Sequence, residues 1–439
     1  MDEHWTVHKF GGSVLRGAPD LDRLADRVSE SAGRNALVVS ALWGTTDRLL
    51  RAVDDPAYAD RLVADLRAHH LMFAPRLATG RDSERFERVL SSMGHALEAR
   101  RANPTDQRAR TQLLATGERL SALVVAHHLR RCGFDAHAVG AEDIGLVLKG
   151  RGEAEAVDLP ASESSFDRNA LHGTPVITGW LGSGEDGALA LLGRGGSDHT
   201  ATAIAHLLRA HRVILWKDVE GIHPINPRWG LTTAPIRYMT YEHAQMAAAI
   251  DATVLHPATV GPCITEGIPI EVRRLHEDTR GPAGTIIGPG VHADQGPMAA
   301  SCTLDVMTMQ VTHPPSITPG ASTANVLSRL ASKGIGVHAS TQWPDGARLI
   351  IDAPRLEEAA EVIRAAGSSI VDVGEASALI TVLGSWAAPE EAAALLGSAT
   401  GSEPVDAEAL RLRFLVPRAN VRDALGRLIA SASWTVDVT

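Results

Sequence analysis

Three cysteines are all that the 439 residues contain, and Cys132, Cys263 and Cys302 form no CxxC or CxxH spacing. That excludes a disulfide-stapled secreted scaffold and a zinc ribbon, and it reads as a set of reduced thiols. Positive charge is also scarce. Lys and Arg number 42 against 52 Asp and Glu, a formal charge of −10. A polyanion would be repelled, and no Lys/Arg-rich run offsets this locally, so general nucleic-acid binding is excluded. No apolar run approaches the roughly 18 residues of a membrane span. The opening MDEHWTVHKF carries acids where an export signal needs a basic segment. A cytoplasmic protein with neither a nucleic-acid nor a membrane partner is expected. The 19 histidines show no ligand spacing, and no protein metal site is expected.

Two nucleotide signatures are missing or spurious. No Gly-Lys pair occurs anywhere, which rules out the GxxxxGK[ST] phosphate loop. A GxGxxG match at Gly182, Gly184 and Gly187 lies between two apolar runs, with Glu185 and Asp186 inside it. Acids there would repel a pyrophosphate, so the segment is expected to be a hairpin turn.

What is present suits a multidomain enzyme. Hydrophobic residues make up 44% and charged residues 21%, enough apolar surface for real cores. Up to about residue 290, short apolar runs alternate with helical patterns, as in a layered α/β domain. Strands are expected at 5–10, 36–41, 175–180 and 213–216. Leu120, Leu123, Val124 and His127 have helical spacing, with Gly133 placed to end that helix. The Gly/Pro-rich 281–290 marks a boundary. Beyond it, strand, helix and strand are expected at 304–311, 323–332 and 347–351. The same order recurs at 379–382, 389–396 and 410–416, followed by a helix at 421–430.

Four clusters carry possible chemistry. Lys9 leaves a strand just before Gly11 and Gly12, where backbone N–H groups can meet a phosphate and the ammonium can neutralise a transferring group. A surface lysine beside a tight turn is the alternative. In LGRGGSDHTATAIAHLL, Ala201, Ile204, Ala205 and Leu208 mark a helix starting near Ser197. Ser197 or Asp198 is expected as its N-cap, with free N–H groups facing an anion. Arg194 adds a fork for a carboxylate, and a routine capped Gly loop is the alternative. Glu118, in GERLSA, sits on a helix that is otherwise apolar on one face, where an exposed acid would be the bland reading. Ser40 to Asp47 places hydroxyls at a strand end, the usual ligand edge of an open α/β sheet.

Taken in order, KFGGS, SALWGTTD, GERLSA, LGRGGSD, WKDVEGIHPINPR, VLHPATV and PAGTII resemble the aspartate kinases, well over residues 5–288 and more loosely to 439. The resemblance implies a three-layer α/β/α amino-acid-kinase sandwich at 1–290, then two ferredoxin-like ACT domains at 300–370 and 371–439 that can interleave. It implies phosphorylation of the L-aspartate side chain by ATP, with Mg²⁺ carried by the nucleotide. Lys9 and Asp198 would be the catalytic pair. ATP would lie near Lys9, Gly11, Gly12, Gly195, Gly196, Lys217, Asp218, His223 and Arg228. Aspartate would be held by Ser40, Thr46, Glu118, Arg194 and Ser197. An amino-acid effector would meet Ser322, Val337 and His338, and a homodimer would form through the ACT units. No general base is needed, because a carboxylate nucleophile is ionised at neutral pH. One departure stands out. The family has Gly-Ala-Lys before Val-Leu-His-Pro, whereas this chain has Asp251-Ala252-Thr253, and Lys217 is the candidate replacement for the lost charge. A same-fold kinase for a substituted aspartate and a catalytically dead ligand sensor are the rival readings.

Overall fold

The computed structural model describes residues 4–250, 255–277, 281–290, 296–314, 319–385, 394, 396, 401–408 and 410–431. They divide into two compact units. The first holds residues up to 222, 235–249 and 255–290, and the second holds 223–234, 250 and the residues from 296 on.

In the first unit the strands are β1 (Trp5–Phe10), β2 (Arg34–Val39), β3 (Ala136–Val139), β4 (Leu148–Arg151), β5 (Glu153–Val157), β6 (Thr174–Thr178), β7 (Leu181–Ser183), β8 (Leu189–Leu192), β9 (Arg212–Lys217), β10 (Tyr238–Thr240), β11 (Ile270–Arg274) and β12 (Thr285–Gly288). Eight form one sheet in the order β10-β12-β11-β9-β1-β2-β6-β3, parallel except where β11 meets β12. Every residue of β1 is buried, as expected of a parallel strand covered on both faces, and this gives the α/β/α layering. Phe10 and Trp216 stack at 6.0 Å between ring centroids in its core. A smaller sheet, β4-β5-β8-β7, stands beside it. The Gly182–Gly187 segment is the β7–β8 hairpin turn, closed by Gly184 N–H to the Ala188 carbonyl at 2.7 Å, with Gly187 at φ +72°.

The helices are α1 (Ala18–Ser29), α2 (Thr45–Asp54), α3 (Pro56–Phe73), α4 (Ser83–Ala102), α5 (Gln107–Arg131), α6 (Leu159–Ser165), α7 (Gly196–Leu208), α8 (Tyr241–Ala249) and α9 (Gly261–Ile264). Helix α1 buries Leu21, Leu24, Ala25 and Val28 along one stripe, the amphipathic spacing of a surface helix. The 25-residue α5 is different. Asp106 caps it by accepting the Ala109 N–H, Gly133 at φ +92° ends it, and most of its side chains from Leu113 to Leu129 are buried. It is the pillar on which the middle of the unit is built.

The second unit contains β13 (Gly296–Thr312), α10 (Pro319–Ser332), β14 (Val337–Trp343), β15 (Gly346–Asp352), α11 (Leu356–Ala365), β16 (Ser369–Val373), β17 (Ser377–Ser385), β18 (Glu403–Glu408), β19 (Arg411–Pro417) and α12 (Val421–Ser431). The helix expected at 389–396 lies mostly outside the described residues. The C-terminal half of β13 pairs with β15 and β16, completing a βαββαβ unit of strand order β16-β13-β15-β14. Its N-terminal half pairs with β17, giving β13-β17-β19-β18. Both are the ferredoxin-like order, and one strand serves both. The register shifts between Thr303 and Val306, where Asp305 takes φ +55°; such a bulge re-aims a strand. Residues 223–234 also belong here rather than with the first unit. Ile225 bridges to Ala300, and Trp229 and Leu231 pack on this core.

Candidate active site

Strands β1, β2, β6 and β9 run parallel, so they present their C-terminal ends at one edge of the sheet. Lys9 and Lys217 are the lysines of two of those ends. Helix α7 packs beneath them and supplies Asp198. Lys9 Nζ lies 2.7 Å from Asp198 Oδ1, and Lys217 Nζ donates to Oδ2 at 2.6 Å. All three side chains are largely buried. Burial alone would raise the Asp198 pKa, but the two ammonium charges and their hydrogen bonds outweigh it and hold the carboxyl at about 2. Burial lowers the pKa of Lys9, Asp198 opposes that, and the like charge of Lys217 adds to it. Two cations sharing one carboxylate leave an excess positive charge in a dry place, the setting in which an incoming anion is held most strongly.

The glycines shape the approach. A Cβ on Gly12 would lie 2.7 Å from the Ala41 carbonyl oxygen, so only glycine lets this loop sit on the β2 loop. The start of α7 corrects the expected cap. Its N-cap is Gly195, at φ +75°, and neither Ser197 nor Asp198 caps it. The N–H groups of Gly196, Asp198 and His199 already donate to the carbonyls of Gly193, Gly195 and Gly195. They are therefore not the free anion-facing groups expected from the sequence. Asp198 occupies the first turn, where its charge complements the helix dipole, and it is engaged by the two lysines instead of the backbone.

Glu118 is not the exposed helix acid of the bland reading. Gly117 lets α5 approach the β2 loop, since a Cβ there would lie 2.8 Å from that of Ala41. This contact sets Glu118 Oε1 to accept the Ala41 N–H at 3.1 Å. Its Oε2 is buried with no partner among the described residues. Burial raises the Glu118 pKa to about 8, against the opposing pull of the Ala41 N–H and the Lys9 charge. A buried carboxyl that lacks one partner is a ready seat for a ligand ammonium.

Around this centre, Ser40 and Thr46 are half-buried, Ser197 is buried and Arg194 is exposed. Ser197 packs so tightly on Gly179 that a Cβ there would come within 2.7 Å. Asp218 accepts from Ser13 Oγ and from the Arg16 guanidinium, both at 3.4 Å. That guanidinium also stacks 4.7 Å above the half-exposed Trp43 ring. Ser13 and Arg16 carry no role in the sequence reading, although Ser13 follows Gly12 directly and Arg16 lies three residues further on. His223 and Arg228 lie in the second unit. There His223 Nδ1 is 3.0 Å from Thr233 Oγ1, and Arg228 donates to the Cys302 carbonyl at 3.4 Å. Asp251, Ala252 and Thr253 lie outside the described residues. In the first ferredoxin-like unit, Ser322 Oγ is buried without a partner among the described residues, Val337 is half-buried, and His338 Nε2 sits 2.6 Å from Asp352 Oδ1.

Fold and site together define a three-layer α/β protein with two lysines sharing one buried aspartate at its strand ends. The sequence profile of the amino acid kinase family matches residues 4–274, and the chain belongs to that family. It is 28% identical over 302 residues to aspartokinase 3, chloroplastic, of Arabidopsis thaliana, covering 64% of this chain and 52% of that protein. It is 31% identical over 294 residues to lysine-sensitive aspartokinase 3 of Escherichia coli strain K12, covering 64% and 63%. The chain thus spans about half the length of the plant relatives it matches. The crystal structure of E. coli aspartokinase III in complex with lysine and aspartate superposes with a TM-score of 0.80 at 25% identity, covering 97% of this chain and 98% of that one.

Proposed function

We propose that the chain transfers the γ-phosphoryl group of ATP to the side-chain carboxylate of L-aspartate, giving 4-phospho-L-aspartate and ADP. The observation that carries this reading is Asp198 with an ammonium against each oxygen, with the unpartnered Oε2 of Glu118 within reach of the Lys9 charge. The acceptor is taken from the names of the relatives.

In this reading a carboxylate oxygen of aspartate attacks the γ-phosphorus as the bond to the β,γ-bridging oxygen breaks, and ADP leaves with that electron pair. No proton has to move. The barrier is set by the approach of two anions, so positioning and charge do the work. Lys9 and Lys217 bear on the transferring group and the β-phosphate. Asp198 positions both ammonium groups. Gly11, Gly12, Gly195 and Gly196 keep side chains out of the phosphate path, and Asp218 faces the nucleotide. Glu118 Oε2 receives the substrate ammonium, Arg194 takes a carboxylate, and Ser40, Thr46 and Ser197 complete the acceptor side. Both Asp198 oxygens are already taken, which fits Mg²⁺ held by nucleotide oxygens. When bound, the ion neutralises charge on the β- and γ-phosphates. His223 and Arg228 keep the nucleotide-side role that the resemblance implies.

The half-exposed Trp43, at the acceptor loop, favours testing larger acids too. ADP release should be measured over a panel of amino and dicarboxylic acids. Turnover greatest with L-aspartate supports the proposal, greatest turnover with a substituted aspartate replaces it, and turnover with none of them refutes it.

A further inference from the structure

A cavity of about 250 Å³ opens in the first unit, where the ends of β3 and β6 meet α4 and α5. Arg119, the residue after Glu118, lines it together with Arg85 and Arg88 of α4, and Glu142 and Asp143 of the loop after β3. Three arginines and two acids thus line one cavity, in a chain whose overall formal charge is −10.

Little of their hydrogen-bonding capacity is used. Arg119 donates to Gln112 Oε1 at 3.1 Å and to Glu142 Oε1 at 2.6 Å. Arg85 gives one N–H to the Ala138 carbonyl at 2.6 Å, and Arg88 gives its Nε–H to the Glu84 carbonyl at 3.4 Å. A guanidinium has five donors, so most of them remain available to a ligand oxyanion. The acid side is incomplete as well, because Glu142 Oε2 is buried with no partner among the described residues. An oxyanion alone would leave that oxygen unsatisfied, whereas a ligand carrying a hydroxyl beside its oxyanion would fill both halves. Open α/β sheets place ligands at these strand ends.

We propose that this cavity binds a small hydroxylated oxyanion, a carboxylate or phosphate ester bearing a hydroxyl, with Arg85, Arg88 and Arg119 on the oxyanion and Glu142 Oε2 accepting from the hydroxyl. The proposal does not depend on the phosphoryl-transfer reading.

Titration calorimetry on the full chain at low ionic strength tests it, with L-malate, sn-glycerol 3-phosphate and succinate as probes. Malate, glycerol phosphate or both should bind, and whichever binds names the oxyanion. Succinate, which lacks the hydroxyl, should bind more weakly than malate if malate is the ligand. The Arg85→Ala/Arg88→Ala variant should lose roughly tenfold or more in affinity, and Glu142→Gln should narrow any malate–succinate difference. Arg194→Ala, which removes the guanidinium assigned to the acceptor's carboxylate, should bind as the parent does. Absence of binding by both hydroxylated probes at millimolar concentration would overturn the proposal. So would unchanged affinity in the Arg85→Ala/Arg88→Ala variant, or loss of binding in Arg194→Ala, which would place the ligand at the acceptor site. Kinase turnover is read separately, so failure of one reading leaves the other testable.

Discussion

Raising the pH from about 6 to 8 should tighten aspartate binding, and Glu118 sets the size of the effect. Burial holds its pKa near 8 in the empty site, so at pH 7 roughly ten molecules carry it neutral for each that carries it ionised, and at pH 6 roughly a hundred. Only the carboxylate pairs with an ammonium. The sign follows directly: the binding-competent form grows as pH rises towards the Glu118 pKa. The apparent aspartate Kd should fall about tenfold from pH 6 to 7 and about fivefold from pH 7 to 8, until the substrate's own ammonium begins to deprotonate. Close to one proton should be released per aspartate bound at pH 7, visible as a buffer-dependent binding enthalpy. Glu118→Gln cannot ionise, so its affinity should lie below the parent's from pH 6 to 8, by the widest margin at pH 8, and vary little across that range. A flat parental profile, or the same slope in Glu118→Gln, would refute the role given to Oε2.

The remaining expectations concern the lysines and the second unit. Lys9→Ala should lower kcat roughly 10³-fold or more in the ADP-release assay. Asp198→Asn strands two buried ammonium groups and should cost about 3–5 kcal/mol in denaturant unfolding as well as turnover. Lys217→Ala should raise the KM for ATP, and adding Thr253→Lys should restore part of it; an unchanged ATP KM would make Lys217 a bystander. In the first ferredoxin-like unit His338, one of the residues expected to meet an effector, brings an imidazole rather than a carboxylate to a ligand ammonium and pairs with Asp352. Lysine should therefore inhibit weakly or not at all, and half-inhibition below about 0.5 mM would contradict this.

Local signals were legible in the sequence and long-range ones were not. Strands β1 and β9, the α5 terminus at Gly133 and the β7–β8 turn follow from apolar periodicity and glycine chemistry, which act over a few residues. Lys9, Glu118 and Asp198 could be picked out because each lies within two residues of a glycine in a recognisable motif, KFGGS, GERLSA and LGRGGSD. The cap of α7 was misread because Ser and Asp usually cap through their side chains. Here Gly195 turns the chain with its own backbone, and Asp198 is drawn to lysines 189 and 19 residues away. Strand β13 was read only in its second half because the bulge at Asp305 interrupts the alternation on which strand recognition depends. Arg85, Arg88 and Arg119 come together only through the packing of α4 on α5, so no short motif could announce them.

The most direct test of the central reading is hydroxylamine trapping during turnover with ATP and L-aspartate. A 4-acyl phosphate reacts with hydroxylamine at its carbonyl carbon, releasing phosphate and leaving the hydroxamate of the side-chain carboxylate. The account predicts one aspartate β-hydroxamate per ADP formed, and neither product above background with Lys9→Ala. ADP released without hydroxamate, or hydroxamate on the α-carboxylate, would contradict it.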